Sequence, residues 1–145
     1  MTQDELDIRA LADRYSDALN RRDAAGMAAC YTDDAVWECG EPINVRIEGK
    51  AALNAYNTQI LDLVDVLVQI TTSPVVTVEG DAATLRSTCH EIGRWRDGSR
   101  GLDHYAFYHS RLRRGEDGWR FTWRRFEVLF TSSAVPVGAA FPPSS

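Results

Sequence analysis

Cysteine is scarce in this 145-residue chain: Cys30, Cys39 and Cys89 make an odd number with no tight spacing. Such a set argues for reduced thiols in a cytoplasmic protein rather than a disulfide framework, and no pair has zinc-ligand spacing. No apolar run approaches the ~20 residues that a membrane span requires. The opening residues Met1-Thr2-Gln3-Asp4-Glu5 are polar and acidic, unlike a secretory signal. Positive charge is also short, with a formal net charge of -5. Nucleic-acid phosphates call for a basic footprint. The late arginines (Arg111, Arg113, Arg114, Arg120, Arg124 and Arg125) fall at strand positions that divide them between two faces. Internal repeats and low-complexity segments are absent. These shortages exclude nucleic acid and membrane as expected partners, and no metal is expected.

What remains is ordinary globular composition, 44% hydrophobic and 26% charged. A chain of this length buries roughly 68–70% of its unfolded surface, enough for one core. Thr2 and Glu5 have capping-box spacing, and Ile8, Leu11, Ala12, Tyr15 and Leu19 recur at helical intervals, which predicts a helix over 3–21. A short helix follows at 23–30, broken by Asp33-Asp34. Short strands are expected at Ala35-Val36-Trp37-Glu38 and from Ile43 to Ile47. A third helix over 50–67 presents Leu53, Tyr56, Ile60, Leu63, Val64 and Leu67 as one stripe.

The period then changes to two. Strands are predicted at 73–79, 83–96, 102–114 and 119–131, joined at Glu79-Gly80-Asp81, Asp97-Gly98 and Gly115-Glu116-Asp117-Gly118. The expectation is an α+β fold over 1–131: a curved antiparallel sheet of about four to six strands, packed as a cone on three N-terminal helices. The tail at 132–145 carries Val135, Val137 and Phe141 as a candidate lid or dimer contact.

Four segments together resemble the nuclear-transport-factor-2-like superfamily and its SnoaL-like group. They are Tyr15 to Asp23, Tyr31 to Trp37, Glu48 to Leu53, and Arg111-Leu112-Arg113 with Asp117 to Phe121. The resemblance implies a cone with an apolar pocket. Its relatives include scytalone dehydratase, bile-acid 7α-dehydratase, hexachlorocyclohexane dehydrochlorinase, ketosteroid isomerase and polyketide cyclases. It further implies proton abstraction from a carbon acid without a cofactor. The fold also hosts non-enzymes, so the site has to be argued residue by residue.

Strand alternation points Leu85, Ser87, Cys89 and Glu91 inward, and likewise His104, Tyr108 and Ser110. A carboxylate in an apolar cone has its pKa raised, which suits a general base, so Glu91 is either that base or the partner of an arginine such as Arg94 or Arg125. His104 is either a proton acceptor or a core imidazole bonded to a carbonyl. Tyr15 and Tyr108 either polarise a carbonyl or pack in the core. By the resemblance, an aspartate near the end of the first helix would orient a histidine. Here Asp23 or Asn20 takes that place, and Gln69 and Thr72 stand where the histidine would be. An amide cannot abstract a proton, so dehydrochlorinase-type chemistry is disfavoured, and Asp23 also reads as a helix cap. Cys39 stands where ketosteroid isomerase keeps its base.

Trp37, Cys39, Tyr56, Gln69, Ser110 and Trp123 are candidate substrate-binding residues. The expected function is a lyase, isomerase or cyclase acting on a small hydrophobic cyclic molecule. The rivals are a non-catalytic ligand-binding or dimerising module, or an epoxide hydrolase drawing on Glu91, Arg125 and Glu127. By parity the outer sheet face carries Arg86, Thr88, Phe107 and Phe126, which predicts a homodimer through that face.

Overall fold

The computed structural model describes residues 1–140. The capping box closes as expected: Glu5 N–H donates to Thr2 Oγ1 at 3.2 Å, and Thr2 N–H donates to Glu5 Oε2 at 2.7 Å. Helix α1 (Gln3–Asn20) buries Ile8, Leu11, Tyr15 and Leu19. The short α2 (Ala24–Ala28) follows, and then β1 (Tyr31–Cys39). Asp33 and Asp34 therefore lie inside a strand and do not break a helix. Their carboxylates face solvent, 3.5 Å from Lys50 and 3.7 Å from Arg113. Strand β2 (Val45–Glu48) begins after a turn that holds Ile43.

The third helix, α3 (Lys50–Leu63), ends four residues before the helical stripe does, and β3 (Val64–Glu79) starts at once. Val64 and Leu67 fit either period. Val64, Val66, Val68 and Ile70 add β-branched residues at every second position, and these favour extended backbone. Two arginines receive the freed carbonyls. Arg22 donates to Leu61 O and, at 2.7 Å, to Val64 O. Arg96 donates to Asp62 O at 3.0 Å and to Val64 O at 3.3 Å.

Strands β4 (Ala82–Trp95), β5 (Gly101–Gly115) and β6 (Gly118–Ser132) complete one open six-stranded sheet in the order β2-β1-β6-β5-β4-β3. The sheet is mixed rather than wholly antiparallel, because β1 pairs in parallel with β6. A parallel pair needs a long connection, and α3 with three intervening long strands supplies it. The three helices pack on the curved sheet, as expected of an α+β cone. None of the described helices is long and apolar enough to cross a membrane.

One irregularity reverses a predicted face. Leu112 pairs with Phe121 and Arg111 with Trp123, so Thr122 is an extra residue in β6. A bulge of this kind shifts side-chain parity by one. Beyond it Arg124 and Phe126 point inward, only 1% and 2% exposed. Phe126 is therefore not on the outer face. Trp123 is, with the Arg111 guanidinium 4.5 Å from its ring centre. The outer face instead exposes Ile70, Tyr105 and Phe130.

The tail is not packed through its valines, since both are exposed. Arg94 holds its backbone, donating to Pro136 O at 3.0 Å and Gly138 O at 2.7 Å. Phe141 lies outside the described residues.

Because Arg22 and Arg96 serve the same helix end, their losses should not add. Arg22→Ala or Arg96→Ala alone should cost about 1 kcal/mol, and the double variant more than the sum. Urea unfolding of the three variants measures this.

Candidate active site

A cavity of about 380 Å³ opens between α1, α3 and the concave sheet face. Its polar heart is Gln69, Glu91 and His104, members of one row across four strands whose fourth member, Thr131, is exposed beside the cavity. Gln69 of β3 pairs with Glu91 of β4, Glu91 with His104 of β5, and His104 with Thr131 of β6. Residues opposite one another in a sheet project to the same side, so register alone brings these side chains together. The Gln69 amide donates to Glu91 Oε2 at 2.9 Å, and Thr131 Oγ1 lies 2.8 Å from His104 Nδ1. Asn20 clamps the Gln69 backbone from α1, donating to its carbonyl at 3.0 Å and accepting from its N–H at 2.8 Å.

Glu91 has no arginine partner. Arg94 is committed to Asp65, at 2.6 and 3.0 Å, and Arg125 to Glu38 at 3.1 Å. Burial raises the Glu91 carboxyl above its ordinary pKa, and the single bond from Gln69 only partly offsets this. Burial lowers the His104 pKa against a small opposing pull from Asp103. The imidazole is therefore neutral at neutral pH. Thr131 Oγ1 and His104 Nδ1 share one hydrogen bond, and the tautomer in which Thr131 donates leaves the ring proton on Nε2, toward the cavity. His90 and His109 face the other way, 2.7 Å from Asp103 and 2.6 Å from Glu127.

A second polar group lies further along the same face. Tyr15 and Tyr108 line the cavity, with ring centres 6.3 Å apart. The Trp37 indole donates to the Tyr108 hydroxyl at 2.5 Å, and Tyr56 packs 6.0 Å from Trp37. Behind them the Arg124 guanidinium sits 3.5 Å from the Tyr108 ring centre, 4.1 Å from Phe121 and 4.6 Å from Tyr15. Its Nε donates to Ser110 Oγ at 3.0 Å. Burial raises the pKa of both Tyr15 and Tyr108, so both phenols keep their protons.

Seven predicted site residues therefore share the cavity: Glu91, His104, Tyr15, Tyr108, Trp37, Tyr56 and Gln69. Four do not line it. Asp23 caps α2, accepting from Gly26 N–H at 2.9 Å. Cys39 is buried outside the lining, and its thiol is pushed up to about 11 by burial and by nearby Glu91. Ser110 is buried against Arg124, and Trp123 is on the outer face. Glu127 is also outside, against His109, so the carboxylate–arginine set of an epoxide hydrolase is not assembled. Sequence reasoning missed Arg124 and Thr131. The adjacent pair Arg124-Arg125 signals that one arginine faces inward, but the bulge decides which. Among the described residues no cluster of three or more His, Cys, Asp or Glu side chains could hold a metal ion.

The family of the SnoaL-like domain matches residues 1–125. The chain belongs to this family. Among solved structures, a candidate aromatic ring hydroxylase from Novosphingobium aromaticivorans is 26% identical with a TM-score of 0.85, over 91% of this chain and 94% of that one. A candidate scytalone dehydratase from the same organism is 20% identical with a TM-score of 0.81, over 98% and 97%. The LinA-type3 hexachlorocyclohexane dehydrochlorinase of Novosphingobium barchaimii is 18% identical with a TM-score of 0.78, over 97% and 94%. The last two likenesses establish the fold alone. No curated protein sequence matches the chain.

The unpaired acid has a thermodynamic consequence. An unfolded glutamate releases its proton near its ordinary pKa, while folded Glu91 holds it to higher pH. Across that window the folded state binds more protons, so stability falls as pH rises through it. Glu91→Gln should remove this loss and make the protein more stable at neutral pH. Thermal unfolding followed from mildly acid to neutral pH tests this, and a variant less stable than wild type at neutral pH would contradict it.

Proposed function

We propose that this SnoaL-like protein is an acid–base catalyst of the dehydratase or isomerase type, acting on a small hydrophobic cyclic ketone or alcohol. The observation that carries the reading is the row Gln69–Glu91–His104–Thr131: a carboxylate with no cation partner, directly opposite a neutral imidazole, in an apolar cavity. Desolvation makes ionised Glu91 a stronger base than an exposed glutamate. In this reading Glu91 takes a proton from the carbon next to a carbonyl. The Nε2–H of His104 donates to the carbonyl oxygen as negative charge develops there. In the dehydratase direction the protonated Glu91 then hands that proton to the departing hydroxyl, which leaves as water, and its carboxylate is restored. Tyr15 and Tyr108 bind a more distant oxygen, while Trp37 and Tyr56 form the wall. The dehydratase and dehydrochlorinase among the structural neighbours lend support at the level of fold.

Gln69, at the place where the resemblance puts a histidine, favours a second reading, a ligand-binding module without turnover. Proton exchange separates the two without knowledge of the natural substrate. A panel of cyclic ketones in deuterated water, followed by NMR, should show protein-dependent exchange at the α-carbon. Exchange should rise with pH as Glu91 ionises. Glu91→Gln should slow it by about 10²–10⁴-fold, and Thr131→Val more modestly. No exchange across the panel would favour the binding module.

The exposed Ile70, Tyr105 and Phe130 support a further proposal, a homodimer through the outer sheet face. Light scattering should report a dimer for the wild type and a monomer for Tyr105→Lys combined with Phe130→Lys. A wild-type monomer would remove the proposal.

A further inference from the structure

Arg124 is the least expected side chain in the fold. It is 1% exposed, and among the described residues no carboxylate pairs with it. Its Nε donates to Ser110 Oγ at 3.0 Å, the Tyr31 hydroxyl stands beside the guanidinium, and Nη1 is buried with no hydrogen-bond partner. An arginine cannot shed its charge as a lysine can. Burying such a charge is costly unless something compensates it. The aromatic faces of Tyr108, Phe121 and Tyr15 offset part of that cost. They do not cancel the charge, so its positive potential falls on the phenols in front of it.

Those phenols face the cavity. The Tyr108 hydroxyl already accepts from Trp37, so its own proton is free to be donated. The ionisable groups around the guanidinium are Tyr15 from α1, Cys30 before β1, Tyr31 on β1, Cys89 on β4 and Tyr108 on β5. All are neutral when protonated, and none supplies a counter-charge. Tyr108 lies four residues beyond His104 on β5, roughly 13 Å along the strand at the usual rise. Leu67, Met27, Ile60 and Phe126 line the cavity as apolar wall.

We propose that the cavity has a second pole, an oxyanion seat at the Tyr108 hydroxyl backed by the Arg124 charge. The ligand is then an elongated unsaturated ring compound whose acidic phenolic or enolic oxygen docks there, with its reacting carbon at Glu91 and His104. The placement of the reacting carbon rests on the proposed function; the seat does not. Arg124 is a positioning residue, because it acts on the ligand through Tyr108.

The test uses two probes, para-nitrophenol and its uncharged methyl ether para-nitroanisole, with the full-length protein. Phenolate absorbance followed against pH should show bound nitrophenol ionising about one pH unit below the free probe. Arg124→Met should weaken nitrophenolate binding about tenfold while changing nitroanisole less than about twofold, and Arg124→Lys should recover part of the loss. Ionisation of the bound probe at or above the free value overturns the seat. So does equal weakening of both probes, which is what a packing role predicts, or the absence of saturable binding by either. If Arg124→Met does not fold, Tyr108→Phe decides: it keeps the ring and removes the donor. Its preference for the phenolate should shrink, and an unchanged preference overturns the proposal. Glu91→Gln separates the two readings. Loss of ketone exchange with the probe's ionisation still shifted bears on the acid–base row alone. Intact exchange with no shift in the wild type removes the seat alone.

Discussion

Thr122 has no partner across the β5–β6 ladder, and which side chains of β6 are buried behind the cavity depends on that one extra residue. Before it, Trp119 and Phe121 fill the core; after it, Arg124 and Phe126 do. With a regular ladder the inward set would be Trp123 and Arg125 instead. Arg125 would then be lost to Glu38, and Arg124 would stand in solvent. The bulge carries its own compensation, since the Thr122 hydroxyl donates to the Arg111 carbonyl at 3.2 Å. A local backbone irregularity thus chooses which of two adjacent arginines is buried, and with it the electrostatic character of one end of the site.

The cavity's two ends are built on opposite principles. At one end an acid and a base are both held away from their charged forms by burial, with only an amide and a hydroxyl to steady them. At the other a guanidinium that cannot be neutralised is buried among aromatic rings. Neither end has an ion pair of its own, although the outer surface has many, including Arg94 with Asp65 and Arg114 with Asp4. Unpaired groups cost stability in a folded protein, and they concentrate where chemistry or binding uses them.

The family resemblance led to the right cone but needed correction at the level of residues. Gln69 does not replace a histidine as a silent wall residue. Its amide is tied to Glu91 and its backbone to Asn20, so it orients the carboxylate. Asp23, the other half of the expected dyad, is spent on capping α2. The polar centre has moved from the helix-to-β3 side to the β4–β5 pair.

The sequence by itself determined the element order and the inward face of β4 and β5, and so that Glu91, His104 and Tyr108 share one cavity. Strict alternation along an unbroken strand leaves no freedom there. It carried the third helix to residue 67, four residues too far, because Val64 and Leu67 satisfy both periods and distant Arg22 and Arg96 collect the last carbonyls. Whether Glu91 was a free acid or half of an ion pair was also beyond it, since Arg94 and Arg125 find their carboxylates on other strands. Nor could it tell Trp123 from Arg124, because a bulge is set by how two strands twist against each other. Only the tertiary structure fixes that, and it places a buried positive charge behind Tyr108.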